Sequence, residues 1–216
     1  MDITTDLLDE YCERFRNWSR WGDDDELGTL NHITSAKVVE SARLVKQGKV
    51  FSLQLPLDGG GPQTGAFGRV NAIHQMVATG TDYLEGAQDW PLGWGVADDT
   101  LFLFLQGGTQ WDALAHIFHN GKMYNGYDAR LVSAQGAEKN GIENQKTVVS
   151  RGVLLDIPRV VGVEHLEPGF AIDSDLLDRA CETHGVEVGT GDIVLVRTGD
   201  MERRRSLPGW DGYAAG

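Results

Sequence analysis

The run TLFLFL, residues 100–105, constrains the fold of this chain more than any other stretch. One threonine and five large apolar residues stop abruptly at Gln106 and the pair Gly107–Gly108. Six residues is strand length, far short of the roughly 18 apolar residues that a membrane-spanning helix needs. A continuous apolar run of this size predicts a strand buried on both faces. NAIHQMVATG (71–80), GVLLDIPR (152–159) and DIVLVRTG (192–199) read as further strands, and VFSLQLPL (50–57) as one with partial alternation. Helical patterns lie between them. Leu8, Tyr11, Cys12, Phe15 and Trp18 recur at helical spacing over 5–18. Val38, Val39, Ala42 and Val45 mark a second helix, capped by Thr34 or Ser35 and closed by Gly48, and SDLLDRACETHG (174–185) is a third. Strands alternating with helices predict an α/β domain whose strand order stays open.

At 216 residues the chain is long enough to bury a real core and reads as a single domain over 1–216. It runs out at DGYAAG, soon after the basic turn ERRRS, with no closing element. That pattern predicts a domain lacking its C-terminal part. A net charge of −13 argues against a nucleic-acid backbone or an anionic membrane surface as partner. The opening MDITTDLLDEYCERF is too polar and acidic for a secretory signal. Cys12 and Cys181 lie far apart and form no CxxC, which predicts reduced thiols and a cytoplasmic location. DGGGPQTGAFGR (58–69) is Gly-rich, but it has no GK[ST] ending and no GxGxxG leading into a helix, so it is not read as a phosphate loop. No serine sits in GxSxG, and a serine hydrolase has no support.

The chemistry concentrates in QGGTQWDALAH, residues 106–116. Two glycines let the backbone turn sharply at the end of the apolar run and deliver polar groups there. Asp112 and His116 are four residues apart, so a helix would put both on one face. Carboxylate and imidazole suit zinc or manganese, and an imidazole also moves protons near neutral pH. Gln106 and Gln110 offer amide oxygens, which are weak neutral ligands. The alternative is plain: Asp112 caps a helix and His116 is a satisfied core histidine.

GGTQWDALAHIF followed by GKMYNGY resembles the signature of the cyclase family, metal-dependent hydrolases of the kynurenine formamidase and isatin hydrolase kind. Better-known members carry HxGTHxDxPxH. Gly108, Thr109, Asp112 and His116 match it, while Gln106 and Gln110 replace two histidines and Leu114 the proline, as in a glutamine-motif branch. WGDDDELGTLNHIT, VVSRGVLLDIPR and GDIVLVRTG extend the resemblance over nearly the whole chain. It implies an α/β cyclase-like fold with a β-barrel-like core and surrounding helices, assembled as a homodimer or homotetramer. It implies a divalent metal, manganese or zinc, that activates water for attack on an amide, lactam or lactone of a small molecule. Carried over by position, Asp112 is a metal ligand with Gln110 and Gln106 in the two histidine positions, and His116 is the proton carrier or a ligand to a second metal.

Substrate-binding candidates are Trp111, Tyr124, Asn125, Trp21 and His74. Four of them have a structural alternative: core packing for Trp21 and His74, a turn for Tyr124 and Asn125. His119, three residues after His116, is placed to approach the same face, and Asp23, Asp24 and Asp25 read as a solvated acidic turn. A rival of another class is a non-catalytic small-molecule-binding or structural protein on the same scaffold, motivated by the two glutamines.

Overall fold

The computed structural model describes residues 4–212. In chain order its regular elements are α1 (Thr5–Arg14), α2 (Ser35–Ala42), β1 (Ile73–Ala78), α3 (Gly80–Leu84), β2 (Asp98–Phe102), β3 (Val132–Ser133), β4 (Gly136–Ala137), β5 (Gly152–Asp156), α4 (Ile157–Val161), α5 (Ser174–His184), β6 (Ile193–Arg197) and α6 (Asp200–Arg205). Short 3-10 turns join them. Helices and strands are mixed along the chain, as the sequence patterns predict. Among the described residues the strands pair two by two, β1 with β2, β3 with β4 and β5 with β6, and no closed barrel is formed. Among the same residues no helix is long and apolar enough to cross a membrane.

The chain folds as two compact units. One takes the described part of Met1–Gly48 with Trp111–Leu155 and Asp178–Val196; the other takes Lys49–Gln110, Asp156–Leu177 and the described part of Arg197–Gly216.

In the first unit, side chains set the helix ends. Thr4 opens α1 by accepting the Leu7 N–H at 3.2 Å, and Thr34 opens α2 by accepting that of Lys37, also at 3.2 Å. The apolar spacing predicts a first helix reaching Trp18, yet α1 stops at Arg14. Ser19 takes a φ of 56°, and its N–H is held by Asn125 Oδ1 at 2.7 Å. That tie draws residues 17–22 into turns and ends the helix early. β5 alternates as a half-buried strand, with Val153 and Leu155 inside and Leu154 outside. The Asp192 side chain has no solvent exposure and meets Arg151 Nη2 at 2.5 Å and Lys37 Nζ at 2.7 Å. Burial works to raise its pKa, but the bonds from Arg151, Lys37 and the Gly189 N–H outweigh burial and hold the carboxyl well below the usual range. A small core of Ala113, Ala115 and Met123 carries Tyr127, Leu131, Val132 and Ala137 against it.

In the second unit, β1 and β2 form an antiparallel ladder in which Ile73 faces Phe102 and Gln75 faces Thr100. A capping box closes on α3: Thr79 Oγ1 accepts the Asp82 N–H at 3.1 Å, and Asp82 Oδ2 accepts the Thr79 N–H at 2.7 Å. Two expectations fail here. The run 100–105 is not a strand buried on both faces. β2 ends at Phe102 and is exposed along its length, because its ladder has two strands and no described element covers either face. Residues 50–57 are not a strand either. They run without a ladder partner, Val50 is 93% exposed, and the buried member is Leu55, whose N–H is held by Thr109 Oγ1 at 3.2 Å.

Candidate functional site

The motif 106–116 falls in both units, so its two parts are described in turn. Trp111 to His116 belong to the first unit. Ala113 and Ala115 are buried in the small core, while Asp112 and His116 face solvent. The α-helical spacing expected for this pair is not needed: Leu114–His116 is one 3-10 turn. The turn is fixed at its middle, where the Ala115 N–H donates to the Asn140 carbonyl at 3.1 Å, and at its end, where the His116 N–H donates to the Ala113 carbonyl at 3.0 Å. His116 Nδ1 then lies 3.0 Å from Asp112 Oδ1. The acid and the imidazole singled out by spacing are thus brought together.

The acidic turn is more than a solvated surface. Asp25 accepts from the Tyr124 hydroxyl at 2.7 Å, from Asn31 Nδ2 at 2.7 Å and from the Gly28 N–H at 2.9 Å. Burial presses its pKa upward, but these bonds together hold the carboxyl below its ordinary 3.8. The same contact acts on the other partner: burial first, then the hydrogen bond to the Asp25 carboxylate, pushes the Tyr124 phenol up. Tyr124 therefore stays protonated and donates a hydrogen bond to Asp25. Gly28 takes a φ of 58°, a backbone conformation that residues with a side chain rarely adopt. Asn125, at φ 61°, gives Nδ2 to the carbonyls of Gly22, Asp23 and Asp25 at 3.0–3.1 Å.

Glu26 completes the brace. It accepts the Asn140 N–H at 2.6 Å, Lys139 Nζ at 2.9 Å and Asn144 Nδ2 at 3.0 Å. Asn140, fully buried at 0% exposure, donates Nδ2 to the Tyr124 carbonyl at 2.9 Å. One residue thus links Glu26, the Tyr124 turn and the His116 turn. Sequence reading missed the roles of Asp25, Glu26 and Asn140; the acid cluster after WG and the Asn-Gly pair at 140–141 mark turns but not the contacts between them.

The remaining candidates of this unit lie apart in their contacts. Trp21 stands edge-on to His32 at 5.1 Å between ring centres, with the Arg20 guanidinium over it. Trp111 is half-exposed. His119 is engaged by Asp9 Oδ1 at 2.8 Å, toward α1.

In the second unit, Gln106 lies in the 3-10 turn Leu105–Gly107, and its carbonyl accepts from Gln63 Nε2 at 3.3 Å. Gln110 lines a small cleft together with Thr109. His74 projects from β1, and its Nε2 lies 2.6 Å from Asp99 Oδ2 on the neighbouring strand, with both side chains about half exposed. His74 is thus not the satisfied core histidine that was one expectation.

Among the described residues no three His, Cys, Asp or Glu side chains gather into a set able to hold a metal ion. A zinc site takes at least three protein ligands of nitrogen, sulfur or carboxylate type. One carboxylate, one imidazole and two amides do not fit zinc; amide oxygen suits a harder cation such as manganese, but weakly.

With this geometry in hand, comparison with known proteins places the chain. The family model "Putative cyclase" matches residues 20–215. A solved structure described as a novel cyclase is 39% identical, with a TM-score of 0.84 over 93% of this chain and 67% of that chain. No curated protein matches. The chain belongs to the cyclase family.

Proposed function

We propose that the chain is a hydrolase of small amide, lactam or lactone substrates, in which His116 and Asp112 ready a water molecule for attack on the carbonyl. The observation that carries this reading is the 3.0 Å contact between His116 Nδ1 and Asp112 Oδ1 on a turn anchored by buried residues. With Nδ1–H given to the carboxylate, Nε2 is the nitrogen that takes a proton from water. Asp112 fixes the tautomer and steadies the imidazolium that forms. Trp111 and Trp21 remain the candidates for touching substrate, and Tyr124 and Asn125 brace the 22–25 loop.

A divalent cation, manganese or zinc, belongs to this reading as an expectation from the family. Asp112, Gln110 and Gln106 are the residues that would meet it, and such an ion acidifies water and polarises a carbonyl. Because the residues present do not make a fitting set, no step is assigned to it. The reading also carries a homodimer or homotetramer, supported by the apolar residues exposed on β1, β2 and β6. A cytoplasmic location is supported by the free thiols Cys12 and Cys181.

Purified protein offered a panel of formamides, lactams and lactones, with and without added manganese, tests the reading by acid release in a pH-stat. Hydrolysis of one class supports it; none on any compound sinks it. A second reading, a binding protein on the same fold, is favoured by the two glutamines and by the lack of a three-ligand set among the described residues. An Asp112→Asn variant that binds a panel compound as the parent does, with turnover in neither, would establish it.

A further inference from the structure

We infer that a cleft of the second unit binds a small-molecule anion through the oxygens of its carboxylate or phosphate group. One side of the cleft is α4 with the loop that follows it, and the other runs from the end of β6 into α6. Its volume of about 710 Å³ falls in the roughly 300–1,000 Å³ range of small-molecule sites. Every lining residue belongs to this one unit, so the inference does not rest on the hydrolase reading. Arg159, Arg197 and Arg203 line it, with His165 and Ser206 as further polar groups. In a chain of net charge −13, such a gathering does not follow from composition. A guanidinium presents a planar fork of N–H donors that matches carboxylate and phosphate oxygens.

Two of the arginines are already set in position. Arg197 Nη1 donates to Asp156 Oδ1 at 3.0 Å and Arg203 Nη2 to Asp200 Oδ1 at 3.0 Å, both carboxylates standing outside the lining. The walls are fixed as well. The Leu166 N–H donates to the Thr198 carbonyl at 2.9 Å. Gly199 is buried at a φ of 78°, and a Cβ there would stand 2.6 Å from the Glu164 carbonyl oxygen and 2.9 Å from His165 Cα. Only glycine lets the two stretches come this near. Because the site is already ordered, filling it adds little ordering cost on binding.

The cleft also holds a carboxylate of its own. Glu202 Oε2 accepts from Arg197 Nη2 at 3.1 Å, yet the Glu202 side chain is 83% exposed. An exposed pair of this kind is worth little, so a ligand anion replaces Glu202 on Arg197 at small cost. The other acid of the lining, Glu164, is exposed, and water and salt screen it. The gain comes from Arg159, which is exposed and whose guanidinium has no ion pair among the described residues. A ligand oxyanion meets there a donor that Glu202 leaves unused.

Titration calorimetry of the intact chain with inorganic phosphate and with succinate, at constant ionic strength, tests the site. The expected result is saturable binding of at least one of them with a Kd of about 1 mM or tighter. Phosphate alone assigns the site to phosphate compounds, succinate alone to carboxylates, and binding of both to oxyanions of either kind. Arg159→Gln should weaken that binding about tenfold, the worth of a hydrogen bond to a charged group. Glu202→Gln should strengthen it, while Glu85→Gln, the same loss of charge at an exposed position outside the cleft, leaves it unchanged. All three positions are exposed, so the variants keep the fold, checked by circular dichroism. Weaker binding or none in the parent, binding indifferent to Arg159→Gln, or a gain in Glu202→Gln that is absent or no larger than in Glu85→Gln overturns the site.

Discussion

His116–Asp112 and His74–Asp99 are the same chemical pair in two settings. The second contact is the shorter, 2.6 Å against 3.0 Å. Side-chain exposures are similar, 39% and 48% in the first pair, 49% and 59% in the second. What differs is the support. The first pair stands on a turn pinned by Ala113, Ala115 and Met123 in a core, with Asn140, Glu26 and Asp25 behind. The second stands on an exposed two-stranded ladder. On the proposed reading the buried support, not the shorter distance, is what suits the first pair to catalysis, because a catalytic geometry has to be held within a fraction of an ångström.

The sharpest way to break this comparison is to remove each imidazole. His116→Ala should lower turnover by about 10²–10⁴-fold, the usual worth of a positioned general base, while His74→Ala leaves kcat nearly unchanged, both read from initial rates on the best panel substrate. Removing the support comes next. Asn140→Ala breaks the link to the Tyr124 carbonyl and places alanine at a φ of 62°, and should cost about 1–3 kcal/mol in urea unfolding. Asp25→Asn should flatten the acid limb of stability. The folded Asp25 pKa lies below 3.8, so its contribution is fully present above that value and is lost as pH falls through the lower folded one. Tyr124 has the opposite sign. Its raised pKa gives stability that is complete below the ordinary phenol value of 10.0 and is lost as pH climbs through the folded value, so Tyr124→Phe should weaken the alkaline limb, seen in melting curves against pH. The smallest effect is expected from Asp99→Asn, within about 0.5 kcal/mol in the same unfolding assay, as for an exposed ion pair.

Helices with local signals were legible in the sequence: Thr4 and Thr34 cap where capping chemistry places them, and 174–184 is helical as its pattern predicts. β1, β5 and β6 follow their apolar runs. The burial of 100–105 and the pairing of 50–57 were not legible, since both depend on what lies across from them rather than on their own residues. The Asp112–His116 meeting could be read from a spacing of four, although a 3-10 turn and not a helix delivers it. The brace could not. Asp25 meets Tyr124 across 99 positions and Glu26 meets Asn140 across 114, and nothing in DDDE alone tells a clamp from a solvated turn.

The central claim is that His116, held by Asp112, is the working base. The pH-rate profile of kcat/KM on the best panel substrate, for the parent and for Asp112→Asn, tests it most directly. The account predicts a parent profile that falls on the acid side as an imidazole is protonated, and a large loss of rate across all pH in a variant that circular dichroism shows to be folded. A variant with the parent's rate and profile would contradict it.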